Sequence, residues 1–281
     1  METVIKKLFV FWLLFLASGC DKFEMRGFFR AYESVDERFE QSQAWNAANG
    51  ERTLVVNSDN YLLYFMGDSH VGGTTNLQRF FSDAMTDGAI AAVMAGDLTT
   101  GHAEDFDTFY QHLPPADSLQ LFPIAGNHDL YFHGWLKYYE LFGSSTYTFT
   151  VQTPSGSDLY ICLDSGGGTL GAHQLEWLKE TLAALRSNYR RCILISHVNL
   201  FRIRKTTSTN PLVEELQVLN DLCARYKVDM FITGHDHKRN VVQLGNTIHI
   251  TMDALLDGFK QAGYLKLYCQ SGELGYEFIN F

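Results

Sequence analysis

Short apolar runs of strand length recur along this chain, and six of them end in a cluster of Gly, Asp, Asn, Ser or His. Tyr61–Met66 is followed by Gly67-Asp68-Ser69-His70, Ala89–Ala95 by Gly96-Asp97, and Leu121–Ala125 by Gly126-Asn127-His128-Asp129. Tyr160–Leu163 precedes Asp164-Ser165, Cys192–Ser196 precedes His197, and Met230–Thr233 precedes Gly234-His235-Asp236-His237. Helical periodicity fills the gaps over Leu77–Met85, Glu104–Leu113, Gln174–Leu185 and Val213–Tyr226. Strand followed by helix, repeated, predicts a layered α/β domain whose ligand crevice lies beyond the carboxyl ends of the strands. After His237 the pattern changes to strands alone, Val241–Leu244, Thr247–Thr251, Tyr264–Cys269 and Tyr276–Phe281, which predicts an antiparallel meander closing a second sheet.

With 281 residues, 46% of them hydrophobic, the chain can bury one sizeable core, which excludes a disordered chain and a small disulfide scaffold. Its formal charge of -10 offers no basic footprint for phosphate backbones, so a nucleic-acid partner is disfavoured. Cys162, Cys192, Cys223 and Cys269 fall inside predicted strands or a helix and read as buried thiols.

Residues 1–20 have the pattern of an export signal: Lys6 and Lys7, the apolar run Leu8–Leu16, then Ala17-Ser18-Gly19 before Cys20. The run is too short to cross a bilayer, which needs about 20 residues. The ending resembles a bacterial lipoprotein signal, which implies lipid attachment at Cys20 and export to a bacterial membrane, on its periplasmic side or at the cell surface. Residues 21–50 are predicted to form a tether and an amphipathic helix through Phe28, Tyr32, Val35 and Phe39, and residues 51–281 a single domain.

Five histidines, His70, His128, His197, His235 and His237, follow predicted strands. With Asp68, Asp97 and Asn127 they aim eight imidazole, carboxylate or amide groups at one crevice, too many for one metal ion and suited to two. Adjacent ions need a shared ligand, and a carboxylate can bridge, so Asp68 or Asp97 takes that place. Such ligands accept manganese, iron, zinc or cobalt, so the sequence predicts two divalent or trivalent ions of unspecified identity.

The order Asp-x-His, Gly-Asp, Gly-Asn-His-Asp, His, Gly-His-x-His resembles the calcineurin-like metallophosphoesterases over about residues 60–253. The resemblance implies a four-layer αββα sandwich of two mixed β-sheets flanked by helices. It implies that Asp68, His70 and His237 hold one ion, that Asn127, His197 and His235 hold the other, and that Asp97 bridges them. His128 then corresponds to the family's non-ligand histidine, which stabilises the phosphoryl transition state or protonates the leaving oxygen. The implied reaction is hydrolysis of a phosphodiester or phosphomonoester of a small molecule by a metal-bridging hydroxide.

Thr100 stands where purple acid phosphatases place a metal-binding Tyr and Ser/Thr protein phosphatases an Asp. The pairing of Asp-x-His with Gly-Asn-His-Asp looks closer to the class III cyclic-nucleotide phosphodiesterases and to double-strand-break repair nucleases. Export and acidity oppose the nuclease. A non-catalytic metal- or phosphate-binding lipoprotein is the other alternative, and the filled ligand positions weigh against it.

Around these motifs, Asp129 either orients His128 or sits at a surface turn. Tyr131, Phe132 and Trp135 are expected to pack under their loop, and His133 to face solvent. Gly166-Gly167-Gly168 lacks the Lys-Ser/Thr of a phosphate-binding loop and reads as mobile. Arg202, Arg204 and Lys205 read as a solvated basic loop.

Overall fold

The computed structural model describes residues 30–201, 212–270 and 273–281. The leader 1–20 with Cys20, and the basic residues Arg202, Arg204 and Lys205, lie outside the described residues.

The strand-length runs stay apolar because both of their faces are buried. Along β2 (Tyr61–Met66), Leu63 and Phe65 face the space between two sheets while Tyr64 and Met66 face helices, since successive side chains alternate. In β6 (Gly156–Cys162), Tyr160 and Cys162 point to the same central core and Leu159 and Ile161 to the opposite helix layer.

The remaining strands are β1 (Arg52–Val55), β3 (Ala91–Ala95), β4 (Gln120–Ile124), β5 (Tyr147–Thr153), β7 (Arg191–Ile195), β8 (Met230–Thr233), β9 (Asn240–Leu244), β10 (Thr247–Thr251), β11 (Gly263–Gln270) and β12 (Glu273–Asn280). They form a seven-stranded sheet in the order β1-β5-β6-β7-β8-β10-β9 and a five-stranded sheet in the order β12-β11-β2-β3-β4. A three-ring stack crosses the space between the sheets, with Phe149 lying 3.8 Å from Phe122 and 4.6 Å from Tyr160 between ring centroids.

Helices α2 (Thr75–Thr86), α3 (Ala103–Gln111) and α4 (Gly134–Phe142) cover the five-stranded sheet through Leu77, Phe80, Phe106, Phe109, Trp135 and Tyr138. Helices α5 (Gly171–Leu185) and α6 (Val213–Arg225) cover the other sheet through Leu178, Leu182, Leu219 and Leu222. The architecture is the αββα sandwich of two mixed sheets that the family resemblance implies.

The predicted C-terminal meander is corrected to two hairpins in different sheets. β10 pairs parallel to β8 and antiparallel to β9, whereas β11 pairs antiparallel to β2 and β12. The segment between them crosses the sandwich: the Met252 amide donates to Thr233 O of one sheet, and the Leu255 amide to Gly67 O at the end of the other. Ile250 and Leu265 thereby meet in one core from opposite sides. Strands β1 and β5 lie outside the predicted set, although β5 alternates buried and partly exposed residues as a half-covered strand should.

The N-terminal helix α1 (Val35–Asn49) starts at Ser34, whose hydroxyl and backbone exchange hydrogen bonds with Glu37 in a capping box. Of the predicted apolar stripe, Phe39 lies on its docked face and Phe28 lies outside the described residues. Tyr32 is exposed, and the buried residues are Arg38, Phe39 and Ser42. Polar contacts hold it down: Trp135 Nε1 donates to Gln41 Oε1 at 2.6 Å, the Ser145 amide to Ser42 Oγ at 3.1 Å, and Arg38 pairs with Asp164.

Cys162, Cys192, Cys223 and Cys269 are buried, and burial pushes the thiols of Cys162, Cys192 and Cys223 up to about 12, as suits packing residues.

Candidate metal centre

The polar clusters leave the carboxyl ends of β2, β3, β4, β7 and β8 and converge. Five of these positions, Asp68, His70, Asp97, His235 and His237, take positive φ angles of 54°, 40°, 50°, 73° and 57°. Left-handed backbone costs a non-glycine residue about 1 to 2 kcal/mol, so the strand ends are bent sharply at a cost. Two glycines allow the loops to touch. A Cβ on Gly126 would lie 2.2 Å from the Asp97 amide nitrogen, and one on Gly96 would lie 2.7 Å from His197 Nδ1.

Asp68, His70, Asp97 and His237 form one group of converging donor atoms, and Asp97, His197 and His235 form a second that shares Asp97. In the first, His237 Nε2 lies 3.2 Å from Asp68 Oδ1 and 3.1 Å from His70 Nε2. In the second, His197 Nε2 lies 3.2 Å from Asp97 Oδ2, 3.2 Å from Asn127 Oδ1 and 3.2 Å from His235 Nδ1. Asp97 Oδ2 also lies 3.6 Å from His70 Nε2, so one oxygen faces both groups. Its other oxygen accepts the His128 amide at 2.8 Å. Asp97 is thus placed to be shared through Oδ2 alone.

Neighbouring contacts orient the donors. His197 Nδ1 lies 2.9 Å from Ala95 O and donates to it, which leaves Nε2 as the ring nitrogen facing the group. Asp68 Oδ2 accepts the His235 amide at 2.8 Å. Asn127 Nδ2 donates to Tyr131 Oη at 3.2 Å, leaving Oδ1 turned toward His197. Ser165 Oγ accepts the amides of His197 and Val198 at 3.0 and 2.9 Å.

The fit to metal rests on Asp68 Oδ1, a buried carboxylate oxygen with no hydrogen-bond partner that faces two imidazole nitrogens. Such an atom is costly to bury unless a cation meets it. Burial opposes charge on Asp68 and Asp97, but the facing imidazoles outweigh it, His237 first for Asp68 and His197 first for Asp97; Asp68 is held at about 2 and Asp97 well below the usual carboxylate range. Burial, then His128, lowers His70 to about 3, which keeps its imidazole neutral as a ligand must be. For His197 burial works downward, and the Asp97 and Asp68 carboxylates overcome it and lift the group to about 9. The negative potential that favours a proton there favours a cation equally.

His128 stands beside both groups, its ring edge-on to His70 at 4.5 Å and 4.8 Å from Tyr131. Asp129 neither orients it nor lies at the surface. It is fully buried and accepts the amides of Leu98, Thr99 and Gly126 at 3.1, 2.9 and 2.9 Å, tying the loop after β3 to the loop after β4. Burial, reinforced by Asp97, raises it to about 6 against those donors.

Tyr131 and Trp135 are buried as expected, while Phe132 stacks on His102 at 3.9 Å. His133 keeps a partly solvent-exposed side chain, as expected, and meets Glu33 at 3.2 Å. The Gly166–Gly168 run is a packed turn, with the Gly166 amide donating to Asp164 Oδ1 at 3.0 Å. Sequence reasoning missed Ser165; its only signal was a small hydroxyl residue directly after a strand-end Asp.

Buried nitrogen and oxygen donors in two groups with one shared carboxylate, at the strand ends of an αββα sandwich, define a metallohydrolase type of centre. The chain belongs to the calcineurin-like phosphoesterase family, whose model matches residues 61–239. It is a metal-dependent phosphoesterase of that family, with donor groups suited to a dinuclear site.

Among solved structures, a dimetal phosphatase from Danio rerio is similar with a TM-score of 0.62 and 14% identity, over 78% of this chain and 96% of that one. The anchor in the inner membrane complex of Plasmodium is similar at 0.61 and 13%, over 79% and 84%. A purple acid phosphatase from yellow lupin seeds is similar at 0.62 and 14%, over 80% of this chain and 52% of that one. At such identities the likeness is one of fold. No curated protein sequence matches the chain.

Proposed function

We propose that the chain hydrolyses a phosphodiester or phosphomonoester of a small molecule with two metal ions. Asp68, His70 and His237 hold one ion, Asn127, His197 and His235 the other, and Asp97 is common to both. The observation that carries this reading is the buried Asp68 Oδ1, which accepts no hydrogen bond and is set among converging nitrogens, beside a second group that shares Asp97. When bound, the ions supply Lewis acidity toward phosphoryl oxygens and a hydroxide at neutral pH.

The chain's own residues do the rest. Ala95 O and Tyr131 Oη fix the faces that His197 and Asn127 present. The closed walls of the site, in which Asp68, Asp97 and His197 are each at most 1% exposed, strengthen every charge interaction inside it. His128 stabilises the phosphoryl transition state or protonates the leaving oxygen, and its ring beside His70 puts it within reach of the donor group that would hold an ion.

The finer placement beside class III cyclic-nucleotide phosphodiesterases rests on Asp68-Ser69-His70 and Gly126-Asn127-His128-Asp129. Export and lipid attachment at Cys20 rest on the pattern of residues 1–20. Radiolabelled palmitate incorporated into the wild-type chain and not into Cys20→Ala is the expected result in a bacterial host.

The reaction is tested on purified protein by elemental analysis, followed by turnover of bis-p-nitrophenyl phosphate and p-nitrophenyl phosphate. About two ions per chain and cleavage of at least one ester are expected. Protein that binds two manganese, iron, zinc or cobalt ions and cleaves neither ester overturns the catalytic reading.

A further inference from the structure

Helix α1 lies outside the span matched by the family model, which begins at residue 61, yet its buried face leads into the metal centre by two hydrogen-bonded routes. The first starts at Arg38. Its guanidinium donates to Asp164 from Nε at 2.7 Å and from Nη2 at 3.1 Å, and from Nη1 to Glu33 O at 2.8 Å. The side chains of the ion pair are 3% and 1% exposed.

Asp164 Oδ1 also accepts the Gly166 amide at 3.0 Å, which sets the turn on either side of Ser165. Ser165 Oγ then accepts the amides of His197 and Val198. A Cβ on Gly166 would lie 2.8 Å from Gly126 O, so the same turn abuts the loop that carries Asn127. The second route runs from Ser42 Oγ, which accepts the Ser145 amide at 3.1 Å, to Ser145 Oγ, which accepts the Ala125 amide at 2.8 Å. Ala125 stands two residues before Asn127. Both routes end on loops bearing ligands of one group, Asn127 and His197.

The β2 loop that carries Asp68 and His70 is held differently. Its amides at Asp68, His70 and Val71 donate to Gly96 O, Asp97 O and Leu98 O. That loop leans on its neighbour in the five-stranded sheet.

We propose that Arg38 and Asp164 are positioning residues for the Asn127/His197/His235 half of the metal centre, acting through the Ser165 turn. The inference rests on the dinuclear reading for its metal consequence, and its backbone consequence stands without metal. A buried arginine on a helix that otherwise offers one large apolar side chain to the core is costly unless it is fully paired. Here the carboxylate that pairs with it opens the turn leading to the site, through the Gly166 amide that it accepts. Because guanidinium and carboxylate meet in a planar two-point fork, the pair fixes the angle of the turn as well as its distance.

The test uses the full chain with three variants: Arg38→Lys, Arg38→Met combined with Asp164→Leu, and Ser165→Ala. The paired apolar replacement avoids leaving one charge buried alone, and Ser165→Ala removes only the accepting hydroxyl. Two readouts are taken. Hydrogen exchange of the metal-free protein reports the amides of His197 and Val198, with the β2-loop amides as internal reference. Titration with Mn2+ followed by calorimetry reports the two binding steps separately.

The expected result is exchange about tenfold faster at His197 and Val198, with little change at His70 and Val71, in the paired variant and Ser165→Ala. One Mn2+ step should weaken by about tenfold, the order seen when partners of metal ligands are removed, while the other holds. Arg38→Lys should fall between wild type and the paired variant. Unchanged exchange at His197 and Val198, or parallel weakening of both Mn2+ steps, overturns the proposal. If the wild-type chain takes up no Mn2+, the dinuclear reading falls and the exchange result alone decides the positioning claim.

Discussion

Replacing Asp97 by Asn tests whether the carboxylate common to both donor groups would serve both ions. Asp97 is 1% exposed; Oδ1 is committed to the His128 amide at 2.8 Å, and Oδ2 lies 3.2 Å from His197 Nε2 and 3.6 Å from His70 Nε2. Asparagine keeps the shape and an oxygen for the His128 amide, so the turn should persist. What is lost is a unit negative charge facing both ion positions. At about 4 Å and an effective dielectric near 20, a pair of unit charges interacts by about 4 kcal/mol. With 1.4 kcal/mol per decade, that is a loss of affinity of at least about a thousandfold for each ion, since a divalent ion carries twice the charge. The assay is calorimetric titration of metal-free protein with Mn2+, with elemental analysis after gel filtration and a melting curve to confirm folding. The variant should elute with fewer than two ions and little turnover, melting in its metal-free form within a few degrees of wild type. Folded Asp97→Asn protein that keeps both ions at wild-type affinity would refute the sharing of Oδ2.

Three further perturbations have defined outcomes. His128→Ala should keep its metal content and lose turnover of aryl phosphates by about 10²- to 10⁴-fold, the usual contribution of a positioned proton donor; steady-state kinetics beside elemental analysis check it. Phe149→Ala, which removes the middle ring of the stack between the sheets, should cost about 3 to 5 kcal/mol in urea unfolding, and a loss under about 1.5 kcal/mol would contradict the stack's place in the core. Burial against Phe201 and Phe231 lowers His249 from 6.5 to about 4, so the unfolded chain binds its proton first and stability falls as pH drops through that window. His249→Phe should flatten that part of the curve of urea midpoint against pH, and an unchanged slope would show that His249 is not its source.

The strand ends were legible because chemistry and topology coincide there. Asp68, Asp97, Asn127, His197 and His235 each close a run that is apolar on both faces, and polar clusters so placed can only line the crevice. The hairpin partition was not legible, since Thr247–Thr251 and Tyr264–Cys269 read equally well as neighbours; the crossing at Met252–Leu255 depends on backbone bonds to Thr233 and Gly67, which leave no trace in composition. Asp129 escaped assignment for a similar reason, because its partners are backbone amides of the preceding loop. The docking of α1 was legible at Phe39, which is buried, and not at Arg38 and Ser42, polar residues that share the docked face. A buried arginine pair announces itself only once both partners are in place, as Arg38 and Asp164 stand 126 residues apart.

The left-handed backbone at Asp68, His70, Asp97, His235 and His237 bears on how this protein can change over time. A glycine at any of them would relieve local strain, and selection for a more robust chain acting alone would favour that exchange. Each such exchange deletes a donor group from the centre. Robustness and retention of the ion site therefore pull on the same five positions in opposite directions. A descendant freed from turnover should drift first at these strand ends, while the sandwich beneath them persists.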